Sequence, residues 1–137
     1  MSRWLARPGT WVVLYCANAL LCWGLASVLP REVLTQYAAT SHLAILAGFC
    51  WVSSASGRPS MGRASAVGAV LVGAELWLVF LRVFAHFAER HGIESPRAAF
   101  WYESFFVLVA GTLLGALLVA ILYATTSFVH RESRHAT

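Results

Sequence analysis

The chain has 137 residues, 59% of them hydrophobic and 12% charged, with a mean hydropathy of +0.68. A soluble domain carries about 25% charged residues, so half that share cannot cover a water-facing surface. All ten cations are Arg, all six anions are Glu, and Asn18 and Gln36 are the only side-chain amides. Despite a pI near 9.4, these proportions exclude a water-soluble enzyme domain, a disordered tail and a nucleic-acid module. The composition is that of an integral membrane protein, with the lipid bilayer as its first partner.

A bilayer core about 30 Å thick needs roughly 20 apolar residues in a helix, and four segments of the chain meet or approach this. The first spans 10–29 and stops at Pro30, which cannot continue a helix. Its apolar run is longer than a signal-peptide core and lacks a small-residue cleavage site, so it reads as a retained helix. The second spans 37–54. The third spans 64–88 and carries Glu75, Arg82 and His86. The fourth spans 97–128, after the Ser95-Pro96 start signal. Short connections make sequential helices antiparallel neighbours. The expected fold is therefore all-α: a single membrane domain over 1–137, built as a four-transmembrane-helix antiparallel bundle. Cys16, Cys22 and Cys50 lie inside apolar runs, with no metal or disulfide spacing.

Arginine asymmetry orients the bundle. The N-terminus, second loop and tail hold Arg3, Arg7, Arg58, Arg63, Arg131 and Arg134 against Glu132 alone. The opposite side holds Arg31, Arg90 and Arg97, balanced by Glu32, Glu89 and Glu94. The positive-inside rule places both termini in the cytoplasm, in a bacterial inner membrane. Lipid gives no hydrophobic drive for helix association, so small residues must permit close packing. Ala44-x-x-x-Gly48, Ala69-x-x-x-Gly73 and Gly111-x-x-x-Gly115 are the candidate contacts.

The third helix carries an intramembrane polar stripe. Gly68, Glu75, Arg82 and Glu89 recur every seven residues, with Val72, Val79 and His86 beside them. Ionisable groups at membrane depth are costly and face protein or a wet cavity. The opposite face, with Val70, Leu76, Trp77, Leu81 and Phe84, suits lipid or apolar packing. Depth counting puts Asn18, Glu75 and Thr112 near the midplane, making Asn18 and Thr112 the candidate partners of Glu75. A second layer near the outer face gathers His42, Arg82, His86 and Glu103. Arg82 could meet Glu103, and Glu89 could meet Arg97.

Three functions follow from these residues. The partner shortage of Glu75 and Arg82 favours a small non-catalytic accessory or assembly subunit, packed against other membrane proteins or a second copy of itself. A pair of histidines, His42 and His86, could ligate a b-type haem and make an electron-transfer anchor facing quinone. No cofactor is otherwise indicated. Glu75 could instead serve a proton-coupled exporter, because a membrane carboxylate can hold either a proton or a cationic substrate. In size and helix count the chain resembles the small four-helix multidrug transporters, whose carboxylate lies in the first helix; here that helix has only Asn18. No GxSxG, HExxH, P-loop or GxGxxG occurs, and no enzyme is expected.

Overall fold

The computed structural model describes the backbone of residues 4–91 and 96–135, and the side chains at 85–99, 102, 134 and 135 lie outside the described residues. The described residues are 89% helical and include no strand. Its helices are α1 (Pro8–Leu25), α2 (Arg31–Ser56), α3 (Met61–His91) and α4 (Pro96–His135). Each contains a segment long and apolar enough to cross a membrane, consistent with an integral membrane protein. At 1.5 Å per residue, the 18 residues of α1 reach about 27 Å and the 40 of α4 about 60 Å.

The helices begin and end for local reasons. Pro8 occupies the first turn of α1, where its missing N–H is no loss. Thr10 Oγ1 and Trp11 Nε1 donate to the carbonyls of Trp4 and Leu5, at 2.9 and 3.0 Å, tying down the preceding segment. Pro30 sits immediately before α2, and its carbonyl accepts the first intrahelical bond, from Leu34 N at 3.0 Å. Glu32 in that first turn favours the helix dipole. At the other end Gly57 adopts φ 66°, the left-handed conformation that closes a helix without a Cβ clash.

These boundaries differ from the apolar runs. α2 starts at Arg31 rather than 37 and ends at Ser56, so five residues (26–30) precede it and four (57–60) follow. The polar turn Arg31–Gln36 is helical because its neighbours and dipole favour it, which hydropathy does not register. The serines before Gly57 belong to α2, and Ser53 is fully buried. α4 likewise continues past 128 to His135.

Packing pairs α3 with α4 and α1 with α2, and α2 also meets α4. Between α3 and α4 the backbones touch at glycines. A Cβ on Gly68 would lie 2.8 Å from Gly115 O, and one on Gly111 would lie 3.1 Å from Gly73 Cα. Gly68 and Gly73 fill the small-residue role on α3. On α2, Gly48 receives the Trp11 ring, whose Cε3 would stand 2.7 Å from an added Cβ. The core is Tyr15, Leu46, Phe49, Cys50, Ala64 and Val119, wrapped by Trp11, Val67, Leu71 and Leu122 among others.

Trp77 and Phe84, expected to face lipid or apolar neighbours, turn toward α4. Trp77 Nε1 donates to the buried Ser104 Oγ at 2.6 Å, and Phe84 packs edge-on against Phe100 at 5.3 Å. The seven-residue stripe does not meet a single partner: Gly68 faces α4, whereas Glu75 and Arg82 face α1. A straight α-helix drifts about 20° per heptad, so residues seven apart diverge in direction along the helix.

Candidate functional site

The intramembrane site forms where α1, α2 and α3 converge on Glu75. Trp11, Tyr15, Asn18 and Cys22 recur at spacings of four, three and four on α1, which puts them on one helical face. His42, Leu46, Phe49 and Ser53 do the same on α2, and all four are buried. Tyr15 Oη donates to Glu75 Oε2. His42 Nε2 stands 3.4 Å from Glu75 Oε1, and the Tyr15 and His42 rings lie 4.6 Å apart. Both carboxylate oxygens therefore face titratable side chains of the same chain. Tyr15 is 3% and His42 8% exposed, while the Glu75 side chain retains 23% exposure.

The protonation pattern of His42 follows from its second nitrogen. Nδ1 lies 2.8 Å from the Ala38 carbonyl, which can only accept, so Nδ1 carries a hydrogen. In a neutral imidazole Nε2 is then an acceptor. It would face a second acceptor, Oε1, across 3.4 Å, and it has no aligned hydrogen bond of its own among the described residues. Two lone pairs do not stabilise each other in a low-dielectric interior. A hydrogen-bond donor between them would relieve the contact.

A polar file leads to this centre from one end of the bundle. Exposed Tyr37 donates to Asn18 Oδ1 at 3.2 Å, and Asn18 Nδ2 donates to Ser41 Oγ at 2.8 Å. Ser41 adjoins His42 in sequence, and Asn18 lies one turn from Tyr15 on α1. One helical turn beyond Asn18, Arg82 reaches back to α1: its Nη1 is 3.5 Å from Trp23 O, and its Cζ lies 5.1 Å over the Trp23 ring.

Several expected pairings resolve differently. Asn18 bonds to Ser41 and Tyr37 instead of Glu75, and Thr112 Oγ1 turns back onto Val109 O at 2.8 Å. Glu103 is exposed and forms no ion pair among the described residues. Arg82 contacts Trp23 in its place. His42 belongs to the Glu75 level and not to an outer layer, because α2 begins six residues earlier than its apolar run and His42 sits eleven residues into it. The side chains of His86 and Glu89, and any Glu89–Arg97 contact, lie outside the described residues. Tyr15, which hydropathy registers only as part of the apolar run of α1, is the partner of Glu75; its place on the Trp11–Asn18–Cys22 face is the signal in the sequence that marks it.

The register also separates the two histidines. His86 lies eleven residues beyond Glu75 on α3, about 16 Å along the axis, whereas His42 stands beside Glu75. Axial ligands of one haem must approach a single iron, and residues at such different levels do not. Among the described residues no group of three or more His, Cys, Asp or Glu side chains converges on a metal position. No known protein family, curated protein or solved structure matches the chain.

Proposed function

We propose that the protein is a small proton-coupled transporter of cationic solutes, with Glu75, His42 and Tyr15 as its exchange centre. One observation carries this reading: Glu75 meets Tyr15 Oη with one oxygen and, with the other, the unpaired Nε2 of buried His42, a pair placed to share a proton. A cation arriving at Glu75 would pair with its carboxylate and release that proton, and reprotonation would expel the cation. Tyr15 Oη orients the carboxylate, and the Tyr37–Asn18–Ser41 file supplies a polar approach from one face. The helices form one membrane domain, an antiparallel bundle with both termini cytoplasmic in a bacterial inner membrane. The arginine asymmetry supports that orientation.

The reaction gives a direct assay. Addition of tetraphenylphosphonium to purified protein in weak buffer should release protons, detected by a pH dye. Proteoliposomes under an imposed proton gradient should move the same cation. Glu75→Gln should abolish both while leaving the helical circular dichroism unchanged. Proton release that persists in Glu75→Gln would remove Glu75 from the mechanism.

A second reading rests on the outer surface of α4. Leu113, Leu117 and Ile121 recur every four residues and are 66%, 60% and 55% exposed, a continuous apolar ridge. Lipid can cover it, and so can a larger membrane protein that this chain assists as an accessory subunit. Recovery of a stoichiometric partner in mild detergent supports that role; a monodisperse protein active alone in proteoliposomes opposes it.

A further inference from the structure

At the end of the bundle away from the Tyr37 file, α2 and α4 diverge around a polar cleft. Ser54, Tyr123, Ser127, His130 and Arg131 line it, and it is a half-open recess of about 240 Å³, room for several water molecules. Its walls are braced. Tyr123 Oη donates to Pro59 O at 3.2 Å, fastening α4 to the α2–α3 turn. Ser54 Oγ donates to Trp51 O at 3.0 Å. The His130 ring lies 4.3 Å from that of Trp51, with Nε2 3.3 Å from the Trp51 carbonyl.

Two donors in this cleft are uncommitted. Among the described residues, Ser127 Oγ makes no hydrogen bond and Arg131 forms no ion pair. With Arg58 and Arg63 close in sequence to the same turn, and Glu132 the single acid of this end, the local charge is positive. Guanidinium and hydroxyl donors facing one cleft match a phosphate group. Trp51, stacked on the His130 that lines the cleft, is 44% exposed beside it. A charged recess bordered by an exposed aromatic ring at the end of membrane-spanning helices fits a headgroup with its acyl chains better than a free anion.

We propose that this cleft binds the phosphate of an anionic membrane lipid, with Arg131 and Ser127 as its donors and Trp51 bordering the acyl chains. The assignment is independent of Glu75. It is tested by native mass spectrometry of the delipidated full chain with equimolar phosphatidylglycerol and phosphatidylcholine. Phosphatidylglycerol should be retained about fivefold over phosphatidylcholine, equivalent to ~1 kcal/mol for one Arg at an anionic surface. Arg131→Gln with Ser127→Ala should erase the preference, Arg131→Lys should keep most of it, and Arg31→Gln, at the opposite end of α2 from the cleft, should leave it intact. Matching melting curves establish that the variants are folded. Equal retention of both lipids, an unchanged preference in the double variant, or displacement of the lipid by millimolar inorganic phosphate would each overturn the assignment, the last in favour of a free-anion site.

Discussion

Replacing Gly115 by Ala tests whether direct backbone contact holds α3 against α4. The new Cβ would fall on Gly68 O, 2.9 Å from the Gly68 carbonyl carbon and 2.8 Å from Val72 Cβ. Carbon atoms settle at about 3.5–4.0 Å, so the helices must separate by about 0.7 Å or more. A radial gap of 0.5–1 Å forfeits a quarter to a half of each dispersion contact, and overpacking costs about 1–3 kcal/mol. In lipid that loss has no hydrophobic compensation between helices. Gly111→Ala should be milder, because its nearest neighbours, Gly73 Cα and Leu76 Cδ1, stand at 3.1 and 3.3 Å. Gly24→Ala in α1 meets nothing within 4 Å and serves as the control. Unfolding in mixed dodecyl maltoside and dodecyl sulfate micelles, followed by circular dichroism, should rank the losses Gly115→Ala, then Gly111→Ala, then Gly24→Ala. A Gly115→Ala variant as stable as Gly24→Ala would refute the direct backbone contact between α3 and α4.

Two hydrogen bonds make further predictions. Tyr15→Phe removes the hydroxyl that donates to Glu75, and in the same micelles it should lose roughly 1–2 kcal/mol, between membrane averages and charge-assisted bonds in water. A double-mutant cycle with Glu75→Ala, which leaves no acceptor, should show coupling; additive losses would mean that the two side chains do not interact. Ser104→Ala strands half-buried Trp77 Nε1, now 2.6 Å from the Oγ of buried Ser104. The expected loss is about 1 kcal/mol, and it should vanish when Trp77→Phe is already present.

How far the polar centre was legible in the sequence depends on the residue. Glu75 stood out because a carboxylate in an apolar helix demands a partner wherever it lies. His42 was visible but misplaced in depth: hydropathy starts α2 at 37, whereas Pro30 and Glu32 start it at Arg31. Six residues amount to about 9 Å of axial shift, enough to move a side chain from an outer layer to the middle. Asn18 found α2 and not α3, since Ser41 offers its hydroxyl at 2.8 Å.

The sequence by itself determined that four apolar helices would form, that Arg and Glu would gather at their ends, and that Glu75 would need company inside the membrane. Those outcomes follow from local composition and from the cost of burying charge, which act on each segment separately. Only the tertiary structure decided which faces meet. Gly68 and Gly115 let α3 and α4 approach until their backbones touch, and α1 with α2 then brings Tyr15 and His42 to the other side of α3. Helix rotation and crossing are set by which small residues permit contact, and periodicity along one helix carries no record of its neighbours' shape.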